Sequence, residues 1–127
     1  MFLVKVFMLR LASFTGCAGQ RCMAASVLLT IGPQKDLLSK IVDKAKKIVP
    51  YDQTASQEGV SSIGPVINPE SLEKIKWYTQ KSIDDGAELL LDGRNWKSNS
   101  GNFIGPTIIK HKKKSDIALH DEIFGQF

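Results

Sequence analysis

The sequence predicts an α/β fold on three observations. A β-branched hexamer stops at Gly-Pro, two stretches carry apolar residues every three to four positions, and short apolar runs follow between turn-rich segments. The first element, Ser26-Val27-Leu28-Leu29-Thr30-Ile31, ends at Gly32-Pro33 and reads as a buried strand. A helix follows with Pro33 in its first turn. Leu37, Leu38, Ile41, Val42, Ala45, Ile48 and Val49 recur at helical spacing, Lys35, Lys40, Lys44, Lys46 and Lys47 lie mostly opposite, and Pro50 stops it. From Tyr51 to Ser62 the composition turns polar, as in a surface loop.

Asn68-Pro69-Glu70 then supplies an N-cap and a proline at the first helical position. Leu72, Ile75, Thr79 and Ile83 form one stripe as far as Gly86, where the second helix ends. Glu88 to Leu91 and Phe103 to Ile109 read as short strands, separated by the turn-rich run from Asp92 to Asn102. Pro106 lacks the N–H that a central ladder needs, so its run is expected at an edge or a bulge.

Composition narrows the function classes. At 127 residues, 43% hydrophobic and 24% charged, the chain is sized for one compact domain. A domain of this size buries about two thirds of its unfolded surface if its apolar residues fall on the right faces, and 43% hydrophobic residues with 10 Gly and 5 Pro exclude a disordered or collagen-like chain. Seventeen basic against thirteen acidic residues leave a net charge of +4, spread rather than clustered, so nucleic acid is not implied as a partner. No window approaches the ~20 apolar residues that cross a bilayer, and no membrane role is expected. Two cysteines make no disulfide framework, and their proximity suggests a reduced compartment or one special thiol.

Residues 1–11 form an apolar segment left unassigned. From Met1 to Phe14 the only charges are Lys5 and Arg10, and no acid precedes Asp36. A secretory signal wants its charge before the apolar stretch, and a mitochondrial presequence wants more Arg and Ser. Phe14-Thr15-Gly16-Cys17 is a poor lipoprotein cleavage site because Phe14 stands where Leu is expected. A buried element of a larger body, or sequence wrongly joined at the start, is the plainer reading.

Three places are able to carry chemistry. In Gly16-Cys17-Ala18-Gly19-Gln20-Arg21-Cys22-Met23-Ala24, small residues crowd a thiol and a guanidinium precedes Cys22. A thiol is nucleophilic as its thiolate, which neighbouring positive charge favours, although an unreactive buried cysteine is the commoner case. Cys17, Cys22, His111 and His120 match no common zinc spacing, so no metal is expected. The second place is the Gly-opened run from Ser100 to Ile109. The third is Asp121-Glu122-Ile123-Phe124-Gly125, whose carboxylate and aromatic ring share one side if the segment is extended. A carboxylate there has two oxygens to accept from a ribose diol. The Lys110, Lys112, Lys113 and Lys114 cluster reads as a solvated loop, within sequence reach of an anionic cofactor at that motif.

Five motifs in order resemble the aldehyde dehydrogenase superfamily. They are Gly19-Gln20-Arg21-Cys22-Met23-Ala24, Gly64-Pro65-Val66-Ile67, Leu91-Asp92-Gly93-Arg94, Gly101-Asn102-Phe103-Ile104-Gly105-Pro106-Thr107-Ile108-Ile109 and Glu122-Ile123-Phe124-Gly125. The likeness is to the acylating, coenzyme A-dependent methylmalonate-semialdehyde dehydrogenases and runs from about Ala12 to Gly125. Gln126 departs from the family's proline. The resemblance implies that residues 12–127 are part of the catalytic domain, a Rossmann-like open α/β sheet with flanking helices. The NAD-binding domain is absent, since no Gly-x-Gly-x-x-Gly follows a strand.

The same resemblance implies that Cys22 is the catalytic nucleophile, that Glu122 holds the nicotinamide ribose of NAD, and that Phe124 packs beside its ring. Arg21 is a candidate for the substrate's carboxylate, with a structural ion pair or a thiolate contact as the alternative. Implied further are a small aldehyde, methylmalonate or malonate semialdehyde, and coenzyme A as co-substrate, giving propionyl- or acetyl-coenzyme A. The setting implied is mitochondrial valine catabolism in a homo-oligomer. The alternative function is a catalytically inactive fragment, because the family's dinucleotide site and the Asn of its oxyanion hole do not occur in this sequence.

Overall fold

In the computed structural model of the protein, residues 13–32, 35–51, 62–96 and 101–125 are described. Residues 1–12, Pro33 at the expected start of the first helix, the polar run 52–61, residues 97–100 of the turn-rich run and the departure at Gln126 lie outside them. Helix α1 spans Lys35–Ala45 and buries Ile41 and Ala45. It ends sooner than its apolar period suggests. The period persists because the next turn tightens: Lys47 and Ile48 donate to the carbonyls of Lys44 and Ala45, three residues back, at 3.1 Å each. That tighter turn keeps Ile48 on the core side after the α-helical pattern has stopped. Val49 therefore lies in strand β1, Val49–Pro50, which pairs in parallel with β2, Ser62–Ile63.

Helix α2, Pro69–Asp84, follows its sequence signals closely. Asn68, in extended backbone, accepts from the Ser71 N–H at 2.8 Å, and Pro69 fills the first helical position. At the far end Gly86 has φ +95°. Its N–H reaches the Ile83 carbonyl at 2.9 Å and the Ala87 N–H reaches Ser82 at 3.0 Å, the paired closure that a left-handed glycine permits. One face of α2 buries Ile75, Tyr78, Thr79 and Ser82.

Strand β3, Glu88–Leu91, pairs antiparallel with β4, Ile108–Lys110. The predicted strand from Phe103 to Ile109 is thus confined to its end. Pro106 cannot donate to a ladder, and pairing starts two residues beyond it. The register steps between Leu89 and Leu91, which oppose Ile109 and Ile108.

The predicted strand at residues 26–31 does not form. Among the described residues this segment belongs to neither two-stranded sheet, and Leu29 and Ile31 are 86% and 89% exposed. β-Propensity favours a ladder only where a neighbouring strand supplies the hydrogen bonds and the packing.

The core gathers Ala18, Ile48, Ile63, Val66, Ile75, Tyr78, Ile104 and Ile123. Leu72, Trp96, Ile117 and Ala118 pack against it half-buried. The second, fourth and fifth motifs contribute Val66, Ile104 and Ile123 to this cluster, Ala18 enters it directly before the first, and the Asp92-Gly93-Arg94 turn is tied in through backbone. A β-carbon at Gly93 would collide with the Gly105 carbonyl, and the Gly105 N–H donates to the Gly93 carbonyl at 2.9 Å. The Thr107 hydroxyl oxygen also accepts from the Gly93 N–H at 3.2 Å.

Candidate active site

The turn that carries Cys22 is built from an unusual backbone. Cys17, Ala18 and Gly19 have φ of 50°, 55° and 70°, three successive left-handed residues within the short helical turn Gly16–Gly19. For residues with a β-carbon this conformation costs roughly 1–2 kcal/mol each. Burial of Ala18 in the core, together with the bonds of Gln20, holds it in place. Gln20 uses both ends of its amide: Oε1 accepts from the Ile67 N–H at 2.8 Å, while Nε2 donates to the carbonyls of Cys17 at 3.0 Å and Pro65 at 3.3 Å. The first two motifs are thereby stapled together. In the same way the Val66 N–H donates to the Asn102 carbonyl at 2.8 Å, joining the second motif to the fourth.

Beyond Gln20 the chain turns outward. The Ala24 N–H donates to the Arg21 carbonyl at 3.0 Å, which closes a turn with Cys22 and Met23 at its tip. Cys22 and Cys17 are both exposed free thiols. Among the described residues the Cys22 N–H has no hydrogen-bond partner, so it is open to an oxyanion formed at this tip. The Arg21 side chain folds back over Gly16, with Nη2 3.5 Å from the Ser13 carbonyl oxygen.

The segment 121–125 is held by α2. The Tyr78 hydroxyl donates to Asp121 Oδ2 at 2.6 Å, and Lys74 Nζ donates to the Glu122 carbonyl at 2.9 Å. Gly125 sits against Ile75, with no room for a β-carbon. Ile123 is buried between these anchors, and Phe124 takes a left-handed φ of 56°. Glu122 and Phe124 are consequently both exposed, Phe124 at 45%. Ala18, before the nucleophile candidate, and Ile123, between Glu122 and Phe124, bury into one cluster, so both exposed motifs grow from the same core.

Two carboxylates support the surrounding loops. Hydrogen bonds from Arg94 hold the Asp92 carboxyl below the ordinary range, against the opposing effect of its partial burial. Arg94 Nη2 lies 2.7 Å from Oδ2, and Nη1 reaches Gln80 on α2 at 2.8 Å. Burial pushes the Asp116 carboxyl up, but bonds from His111, the Ala118 N–H and Ser82 outweigh it and leave the group below its ordinary value. His111 Nδ1 lies 2.6 Å from Asp116 Oδ2, and Ser82 Oγ 3.2 Å from Oδ1.

His111 is thus engaged with Asp116, and His120 Nε2 lies 2.7 Å from the Lys114 carbonyl. Among the described residues no group of three or more His, Cys, Asp or Glu side chains is placed to hold a metal, and no helix is long and apolar enough to cross a membrane. A cleft of about 210 Å³ is lined by Asp85, Ala87, Lys112, Lys113, Ser115 and Asp116, so it takes in two of the clustered lysines and none of Arg21, Cys22, Glu122 or Phe124. Sequence reading missed the two-ended role of Gln20 and the grip of Lys74 and Tyr78. A polar side chain amid a small-residue run was the one signal for Gln20, and nothing local marked the other two.

Comparison with known proteins adds three findings. A model described as the aldehyde dehydrogenase family matches residues 4–127. Among curated proteins, the Arabidopsis thaliana acylating methylmalonate-semialdehyde dehydrogenase, named as mitochondrial, is 41% identical over 118 residues, 91% of this chain and 19% of its own length. The Mus musculus methylmalonate-semialdehyde/malonate-semialdehyde dehydrogenase, likewise named acylating and mitochondrial, is 39% identical over 113 residues, 87% of this chain and 21% of its own length. The chain therefore spans about a fifth of the curated relatives it matches. Among solved structures, the methylmalonate-semialdehyde dehydrogenase of Oceanimonas doudoroffii superimposes with a TM-score of 0.82 at 29% identity, over 98% of this chain and 26% of that one. A Sinorhizobium meliloti relative crystallised with NAD gives 0.83 at 30% identity, over 98% and 26%.

Proposed function

The chain belongs to the aldehyde dehydrogenase family, and from that premise we propose that it carries the nucleophile and the nicotinamide-facing residues of a coenzyme A-acylating methylmalonate- or malonate-semialdehyde dehydrogenase. The observation that carries the reading is the Cys22 turn: an exposed thiol at the tip, with its own N–H unpartnered among the described residues.

Cys22 Sγ, as thiolate, attacks the aldehyde carbon, forming a C–S bond as the carbonyl electrons move to oxygen. The Cys22 N–H donates to that oxyanion. Glu122 and Phe124 would hold the nicotinamide end of NAD, which would supply the acceptor for the hydride on the former aldehyde carbon. As the hydride leaves, the oxyanion re-forms the carbonyl and Cys22 holds the acyl group as a thioester; breaking the bond to the substrate carboxylate releases carbon dioxide and leaves the electron pair on the α-carbon, which takes up a proton. The sulfur of coenzyme A then forms its C–S bond to the acyl carbon as the bond to Cys22 Sγ breaks and Cys22 departs as thiolate, the proton given up by the coenzyme A thiol balancing the one gained at the α-carbon.

Glu122 and Phe124 fit the nicotinamide half of the cofactor: an exposed carboxylate with acceptor oxygens for a ribose diol stands two residues from an exposed ring, and both project from a segment fixed by Ile123. Arg21 is assigned to the substrate carboxylate. Its guanidinium belongs to the residue directly before Cys22 and has the fork geometry that pairs with a carboxylate bidentately. The curated relatives named as mitochondrial support a mitochondrial setting for the same reaction.

A second reading, in which the chain keeps the motif without turnover, is favoured by the exposed Val27, Leu28 and Leu29, which belong to no strand among the described residues. Limiting iodoacetamide, with and without NAD, followed by intact-mass and peptide analysis, separates the two. Faster labelling of Cys22 than of Cys17, changed by NAD, is the expected result. Equal and NAD-independent labelling would overturn the first reading in favour of the second.

A further inference from the structure

The contacts between α2 and segment 121–125 concern the cofactor side of the site, and the inference from them rests on the nicotinamide reading of Glu122 and Phe124. Among the described residues neither exposed side chain is held by a bond of its own to the core. Their placement is delegated to neighbours: Tyr78 to Asp121 at 2.6 Å, Lys74 to the Glu122 carbonyl at 2.9 Å, and Ile75 against Gly125. Lys74 Nζ also stands 5.9 Å from the centre of the Tyr78 ring, and Trp77 meets that ring edge-on at 4.9 Å. One turn of one helix thus grips the segment before, at and after Glu122.

We propose that Tyr78 and Lys74 are positioning residues for the nicotinamide nucleotide, acting through Asp121 and the Glu122 carbonyl to hold the Glu122 carboxylate and the Phe124 ring together toward one ligand.

A hydrogen bond to a charged acceptor is among the stronger ones, and it restrains a backbone that already pays for a left-handed Phe124. Removing the Tyr78 hydroxyl keeps the ring for the core and deletes the bond to Asp121. Helix α2 retains its caps, so the change is confined to the segment it grips.

The test uses the chain itself with nicotinamide mononucleotide as probe. Amide hydrogen exchange at residues 121–125 and ligand-observed NMR titration are measured for the native chain, Tyr78→Phe, Lys74→Met, Asp121→Asn and Asp121→Ala. In Tyr78→Phe, exchange in the segment is expected to quicken and mononucleotide affinity to fall, each by about tenfold, the equivalent of one lost bond of this class. Asp121→Asn, which keeps an acceptor oxygen, is expected to lose less than Asp121→Ala. Exchange within α2 serves as the check that each variant is folded, and Lys74→Met carries the test if Tyr78→Phe is not. Unchanged mononucleotide affinity in a folded Tyr78→Phe chain would overturn the positioning role and leave the nicotinamide reading standing. Failure of the native chain to bind the mononucleotide would overturn both, and the two failures are distinguishable by that native titration.

Discussion

Gly93 and Gly105 meet backbone to backbone: the Gly105 N–H donates to the Gly93 carbonyl at 2.9 Å, and a β-carbon on Gly93 would fall on the Gly105 carbonyl. Two motifs twelve positions apart are locked at this point, and the lock seats Ile104 in the core that carries both exposed motifs. Gly93→Ala forces backbone, not a side-chain end, to move. It is expected to cost about 1–3 kcal/mol, as overpacking does, read as a lower urea midpoint with an unchanged slope. A midpoint equal to that of the native chain would mean that the contact opens freely.

The cap of α2 governs the grip on segment 121–125. Asn68→Ala removes the acceptor of the Ser71 N–H and is expected to destabilise by about 1 kcal/mol, whereas Asn68→Ser restores most of it. Thermal unfolding followed by circular dichroism checks the pair.

Asp116 makes part of the acid stability. Its folded value lies below that of the unfolded carboxyl, so its contribution is present above the unfolded value and is lost as pH falls through the folded one. Asp116→Asn is expected to lower stability at neutral pH and to flatten the acid limb of a stability–pH curve. An acid limb as steep as that of the native chain would remove Asp116 from the account.

Tyr78 works in the opposite direction. Its hydrogen bond to Asp121, with burial and the Asp121 charge, raises the phenol above its ordinary value, so the stability linked to it is present below that value and is lost as pH rises through the raised one. Tyr78 is expected to titrate late in an ultraviolet difference titration. Tyr78→Phe should delete that late phase, and Asp121→Asn should move it down.

Leu29 tests the corrected strand. A side chain 86% exposed has little packing to lose, so Leu29→Lys is expected to change stability by no more than about 0.5 kcal/mol and to reduce self-association in sedimentation. A loss of several kcal/mol would restore the buried-strand reading.

The local sequence by itself determined those elements whose signals are carried by a few adjacent residues. Asn68, Pro69 and Gly86 bound α2 because caps act on the helix's own backbone groups, and Pro106 delayed β4 because the missing N–H is a property of that residue alone. The motif order likewise pointed to the family and to Cys22, Glu122 and Phe124 as residues worth locating. Tertiary structure decided the rest. Whether residues 26–31 form a strand depends on a neighbour that β-propensity cannot supply. The supports of the site join residues 43 to 48 positions apart, as in Tyr78 with Asp121, Gln20 with Ile67 and Lys74 with Glu122. A hydrogen bond at that separation leaves no period or spacing in the sequence. It exists only once the core formed by Ala18, Ile75 and Ile123 has brought the segments together.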